Sequence, residues 1–220
     1  AVTSSDEVNI VACQICYSMF RTPTKIARIR SGAYLNQNAL FDKHHVPIDR
    51  LINPEQVVTE QITELLSHPG ALEVLDFADG RAQLVAMRAY LGGPLVGQAL
   101  SFLSQHMPSV DTRVAAIFRR GQPIIPSGDT VIETDDEVFF IAAREHITAV
   151  MGELRKAEKP FRRVIIAGGG NIGARLAAAT ENSYDVRIME LNPQRAQDLA
   201  DHLNSAVVIQ GSATDRELLL

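Results

Sequence analysis

The feature that most constrains this chain is the run Val164-Ile165-Ile166-Ala167-Gly168-Gly169-Gly170-Asn171-Ile172-Gly173. An apolar strand breaks into G-x-G-x-x-G and then opens the small-residue helix Ala174-Arg175-Leu176-Ala177. An acidic residue, Glu190, ends the next apolar segment 22 positions after Gly168. Together these features make the full dinucleotide fingerprint rather than a bare glycine motif. Gly168 permits the tight turn, Gly170 lets backbone approach a pyrophosphate, and Gly173 lets the helix pack closely on the strand. Asn171 and Ile172 open the helix, whose unpaired N–H groups and positive dipole end face the phosphates. The Glu190 carboxylate can accept both hydroxyls of an adenosine ribose and repels a 2′-phosphate, which favours NAD or NADH over NADP. ATP and ADP stay open as alternatives, because the fingerprint addresses only ribose and phosphate. Gly211 and Ser212, after the third strand Ala206 to Ile209, are placed beside the adenine; a turn with a helix cap is the plainer reading of the pair.

The rest of the chain divides around this motif. Residues 1–69 alternate helix and strand. A helix is expected over about 7–20 with Asp6 as its cap, then strands at Lys25 to Ile29 and Asp49 to Ile52. Asn53-Pro54 starts a helix carrying Val57, Val58, Ile62, Leu65 and Leu66. Residues 70–157 have another rhythm, with strands at Leu72 to Phe77, Leu84 to Ala89, Arg113 to Phe118 and Glu137 to Ala142, a helix at about 94–106 and turns at Gly121-Gln122-Pro123 and Ser127-Gly128-Asp129. Strands following strands imply a small α+β domain. Residues 158–220 return to strand–helix alternation. The fold expected is α/β, with a partial doubly wound half at each end and an α+β domain between them.

Composition limits the functions available. Net charge is −5, with 46% hydrophobic residues; nothing suggests the clustered Lys/Arg of a nucleic-acid surface. No apolar run reaches the roughly 18 to 20 residues of a membrane span, and the first segment lacks the basic start and apolar core of a signal peptide, so a cytoplasmic setting is expected. Both ends have the look of cuts inside folded units. Cys13 and Cys16 form one C-x-x-C, two ligands where a zinc site usually has four. They fall in a helical pattern with Val8, Val11, Ile15 and Met19 and read as buried structural cysteines. Asp129, Asp135 and Asp136 read as turn residues rather than cation ligands. A hydride-transfer enzyme also needs an acid–base residue; His44, His45, His106 and His146 are the candidates, and none has an evident Asp or Ser/Tyr–Lys partner in the sequence. No catalytic residue and no metal ligand is assigned.

FRRVIIAGGGNIGARLA, VRIMELNPQRAQDLA and VVIQGSATD resemble the opening half of the nucleotide domain of the RCK/KTN family, cytosolic regulators of potassium transport. AVTSSDEVNIVACQICYSMFRTPTKIARIRSGAYL resembles the closing half of another such domain, and GGPLVGQAL with IFRRGQPIIPSGDTVIETDDEVFFIAA resembles the RCK-C module. Ser212 departs from the family's more usual Asp, and only Ala1-Val2-Thr3 stands for the end of the fourth strand. The resemblance implies partial Rossmann-like RCK-N halves at residues 1–69 and 158–220 flanking an RCK-C domain at 70–157. It implies NAD(H) binding without catalysis, a homo-oligomer of two or more chains, and a membrane-embedded potassium transporter as partner, met at the cytoplasmic face of the inner membrane. It also places Thr3, Ser4, Asp6 and Arg28 near a nucleotide, Arg28 being a charge inside an otherwise apolar strand. Residues 161–220 and 1–52 carry complementary halves of a doubly wound fold and are expected to be able to pair into one composite domain, within one chain or between two copies. Rival readings are an NAD-dependent oxidoreductase and an oligomerisation module that binds no ligand.

Overall fold

The structure is a computed structural model that describes residues 1–35, 40–42, 45–155, 161–216 and 218. The chain is α/β and forms two compact units: Ala1–Glu60 with Ile165–Leu220, and Gln61–Val164.

In the first unit the N-terminal segment builds α1 (Asp6–Phe20), β1 (Ile26–Arg28), α2 (Gly32–Leu35) and β2 (Arg50–Ile52), and enters α3 (Pro54–Ser67). β1 and β2 run parallel, Ile26 opposite Arg50. Ala1 lies along the other side of β1: its amino group donates to Ile26 O at 2.6 Å, and Arg28 N donates to Ala1 O at 2.9 Å. Ser5 rather than Asp6 caps α1, accepting from Val8 N at 3.3 Å. Asp6 instead reaches across to β1's exit, where its Oδ2 accepts from Arg30 N and Ser31 N at 2.9 and 2.8 Å. The face of α1 that packs inward carries Asn9 and Cys13, whereas Val8, Val11, Ile15 and Met19 are exposed. Cys16 is half-buried, so only Cys13 is the buried structural cysteine that both were expected to be. Cys13, Ala27, Ile29 and Ile48 form a small core, and α1 breaks at Arg21 in the left-handed conformation.

The C-terminal segment of the same unit builds β8 (Arg163–Ala167), α6 (Asn171–Thr180), β9 (Asp185–Glu190), α7 (Pro193–His202) and β10 (Val207–Gln210). Its sheet has the order β10-β9-β8, with β9 and β10 parallel. Ile166, Val186, Ile188 and Met189 of the strands and Leu176, Ala177, Ala196 and Leu199 of the helices are all buried. Asn192 caps α7 with Pro193 in its first turn. A 3-2-1 half and a 4-5-6 half are the two complements of a doubly wound sheet, and the two segments have those orders, with Ala1 in the place of the fourth strand.

The second unit is an antiparallel sheet of order β3-β4-β7-β5-β6, made of β3 (Ala71–Phe77), β4 (Ala82–Arg88), β5 (Thr112–Arg119), β6 (Gln122–Ile124) and β7 (Glu137–Ala143). Alternate residues of β4 and β7, Val85, Met87, Val138 and Phe140, face α5 (Ile147–Leu154), which buries Ile147, Val150 and Leu154. Two expectations are corrected here. The helix expected at about 94–106 is only α4 (Ser101–His106), because Leu95 N and Gly97 N donate to Glu153 O and Ile132 O and hold 95–100 in turns. Gly121-Gln122-Pro123 is not all turn, since Gln122 and Pro123 begin β6. Pro123 is tolerated there because β6 is an edge strand.

Candidate functional site

Each glycine of the loop has a different reason to be glycine. Gly168 has φ +104°, a conformation L side chains rarely adopt, and its N–H donates to Met189 O at 2.8 Å, tying the turn to β9. A Cβ on Gly173 would stand 1.9 Å from Gly168 O, so α6 can approach the turn only without one. A Cβ on Gly169 would stand 2.3 Å from Leu199 Cδ1 and 3.0 Å from Glu190 Oε2; the fingerprint treats this position as variable, and its constraint was not visible in the sequence. Gly170 is different. Its backbone is extended (φ −68°, ψ −172°), and a Cβ there would meet nothing within 4 Å. Packing does not require glycine at 170, and the space in front of the α6 N-terminus is open.

Glu190 closes β9 beside this loop. Its Oε1 accepts from Asn192 N and its Oε2 from Gly169 N, both at 2.8 Å, with Arg195 Nη1 at 3.8 Å. These donors, Asn192 first and Gly169 next, hold the carboxyl below its ordinary range despite burial. A carboxylate offers about four acceptor sites; Asn192 N and Gly169 N take two, and Leu191 N and Arg195 add smaller contributions. Gly211 N donates to Glu190 O at 3.0 Å, which places the turn after β10 next to the acid. Ser212 caps that turn, its Oγ accepting from Thr214 N at 3.2 Å. Gly168, Gly169, Gly170, Gly173, Glu190 and Gly211 are therefore one assembly, with Asn171 and the half-exposed Ile172 at the mouth of α6.

The other expected positions fall across the unit. Thr3 and Arg28 bind each other, the Arg28 guanidinium donating to Thr3 O. Between them stands Asn9, fully buried, whose Nδ2 donates to Arg28 O at 2.9 Å and whose Oδ1 accepts from Thr3 N at 2.8 Å. Asn9 was not singled out from the sequence; a polar residue inside an amphipathic helix leaves no periodic signal. Next to this network lies a cavity of about 640 Å³ lined by residues of both segments. Ser4, Asp6, Arg30 and Glu55 face it from one side, Asn171 and Arg175 from the other. Arg175 Nη2 donates to Arg30 O at 3.2 Å, so the segments touch at its rim. Ligands in open α/β sheets sit in the crevice outside the carboxyl ends of the strands, where strand order reverses, and this cavity has that position between a 3-2-1 and a 4-5-6 half.

The histidines correct one expectation: His106 Nδ1 lies 2.9 Å from Glu153 Oε2, His45 Nδ1 lies 2.9 Å from Asp42 Oδ1, an Asp partner the sequence did not make evident, and His146 Nε2 lies 3.6 Å from Glu145 Oε1. The first pair lies in the unit without the glycine loop, and the second is exposed. His44 lies outside the described residues. Asp136 is taken by Arg119, whose Nε and Nη2 donate to it at 2.8 Å. Among the described residues no three His, Cys, Asp or Glu side chains are grouped to hold a metal ion.

Comparison with known proteins places this geometry. The TrkA-N domain family matches residues 164–220 and the TrkA-C domain family residues 84–155. Over its whole length the chain is 63% identical to the Trk system potassium uptake protein TrkA of Halomonas elongata and 54% identical to that of Vibrio alginolyticus. The chain belongs to the TrkA family. It spans about half the length of these relatives, 48% in each case. The fold of this chain is also that of solved RCK structures. The GsuK RCK domain matches 100% of it and 45% of the GsuK chain at TM-score 0.60 and 17% identity. The GsuK channel bound to NAD matches 100% of this chain and 37% of its own at TM-score 0.60.

Proposed function

We propose that this chain is the nucleotide-sensing part of a cytosolic regulator of Trk potassium uptake, binding NAD(H) at the Gly168–Gly173 loop and Glu190 without transforming it. The observation that carries this reading is Gly170. It is a glycine with ordinary backbone angles and open space at its α-carbon, directly at the N-terminus of a ten-residue helix. A phosphate approaching that space meets the unpaired N–H groups and positive end of α6. Glu190 ionises readily and supplies ribose acceptors while opposing a 2′-phosphate. Support from relatives comes from the NAD-bound GsuK channel, which shares the fold, and from the naming of the TrkA relatives for potassium uptake. The regulator acts with a membrane-embedded transporter, as an oligomer, by ligand-biased rearrangement; this requires the nucleotide to bind one arrangement more tightly than another. Among the described residues no helix is long and apolar enough to cross a membrane. Among the described residues lining the cavity beside the loop none is a histidine, tyrosine or lysine; the preference for a regulator over an oxidoreductase rests on the naming of the relatives rather than on that absence. Calorimetric titration with NADH, NAD, NADP and ATP, repeated on Gly170→Asp, tests the reading. Micromolar NADH binding that is weak for NADP and lost in the variant supports it; absence of binding by any nucleotide refutes it.

A further inference from the structure

The sheet of the second unit is apolar on both faces. One face, with Val85, Met87, Val138 and Phe140, packs against α5. The register puts the alternate residues on the other face: Leu75 stands opposite Leu84, Leu84 opposite Ile141, and Ala86 opposite Phe139. An antiparallel sheet with one wet face alternates apolar with polar residues, and these outward positions break that rule. Leu75 is 37% and Phe77 47% exposed, while Leu84, Phe139 and Ile141 are half-buried. Phe118 extends the strip, its ring edge-on to Phe139 at 5.5 Å between centroids. A contiguous apolar strip of this kind marks a contact surface.

The charges of this face stand at its margins. Arg88 and Glu137, opposite each other on β4 and β7, close into a pair at 2.8 Å. Glu73 on β3 and Arg113 on β5 lie on opposite sides of the apolar strip. Both are exposed, and neither side chain has an ion-pair partner among the described residues. An acid on one margin and a base on the other make the face its own complement. A two-fold axis parallel to the strands, passing between β4 and β7, lays β3 of one copy over β5 of the other and β4 over β7. Leu84 of each copy then meets Ile141 and Phe139 of the other. Glu73 of each copy comes to the margin that carries Arg113 of the other, which gives two equivalent ion pairs around an apolar centre.

We infer that a second copy of this chain packs on this face, with Glu73 and Arg113 setting the pairing. The assignment does not depend on the nucleotide reading of the Gly168–Gly173 loop. The experiment is sedimentation of the full chain over a range of concentrations, for the wild type, Glu73→Arg, Arg113→Glu and the chain carrying both changes. The wild type should self-associate. Each single variant sets like charges against each other twice and should weaken association on the order of tenfold or more. Mixing the two single variants restores both opposite-charge contacts and should recover wild-type association, and the doubly changed chain should match the wild type by itself. Urea unfolding of each variant should follow the wild type, since both side chains are exposed. A monomeric wild type overturns the inference. Association indifferent to the single variants places the copies on another surface and overturns it too, as do weakened single variants that recover neither on mixing nor in the doubly changed chain.

Discussion

At the residue scale, glycines that look alike in the sequence are separable by what a methyl group would strike. Gly173→Ala places Cβ 1.9 Å from a backbone oxygen, and backbone cannot rotate away as a side chain can. The expected cost is that of overpacking, about 1–3 kcal/mol, seen as a lower midpoint in thermal or urea unfolding. Gly170→Ala meets open space at an ordinary φ, so its unfolding midpoint should stay within about 0.5 kcal/mol of wild type. Its NADH affinity should nonetheless fall on the order of tenfold, because the methyl would stand in the space that the proposed function gives to the phosphate. A Gly170→Ala variant that unfolds early, or that binds NADH normally, contradicts the division of roles between the two positions. The sequence alone assigned these roles by spacing. It could not show that Gly169 is also constrained, because that constraint comes from Leu199 and Glu190, 30 and 21 positions away.

At the element scale, Glu181 does for the C-terminal segment what Asp6 does for the N-terminal one. It follows α6 directly and accepts from Asn204 N, Ser205 N and Ala206 N at 2.9, 2.7 and 3.0 Å, fastening the approach to β10 onto the end of α6. Donation from Ser205 first, then Ala206, holds its carboxyl below the ordinary range. A carboxyl depressed in the folded state contributes stability that is present above its unfolded pKa, about 4.3, and is lost as pH falls through the folded value. Glu181→Gln should thus be less stable than wild type at neutral pH, and the difference should shrink below pH about 4, as followed by urea unfolding at a series of pH values. A difference independent of pH would mean that the ionised form is not what binds the three amides. The same scale shows where the sequence was legible. β8, α6, β9 and α7 were readable because apolar strands, a glycine turn and Asn192-Pro193 act locally. The 94–100 segment was not, since Val96, Leu100 and Leu103 mimic helical spacing while the backbone N–H groups of Leu95 and Gly97 go to distant carbonyls. The apolar stripe of α1 misled in the same way: Asn9 and Cys13 take the inner face because the strand ends need an amide there.

At the scale of the whole molecule, residues 1–60 and 165–220 form one unit although a second unit separates them in the chain. Ligand at one hundred times its Kd adds about 2.7 kcal/mol to whatever binds it. NADH should therefore slow amide exchange in both segments together, α1 and β1 as well as α6 and β9, if both wall the site. Whether one chain supplies both walls is a separate matter, and mixing answers it. Gly170→Asp disables the loop but leaves the facing cavity wall of Ser4, Asp6, Arg30 and Glu55 intact, while Ser4→Trp fills the cavity from that wall and spares the loop. If each site is built within a single chain, a mixture of the two variants, unfolded and refolded together, contains no site with both walls sound. Full-affinity NADH binding then stays absent. If the walls come from different copies, refolding the mixture unites an intact loop from one variant with an intact wall from the other, and a fraction of full-affinity sites reappears. The contact of Arg175 with Arg30 O inside one unit leads us to expect no recovery. Recovery would make the nucleotide a reporter of assembly rather than of the state of a single chain.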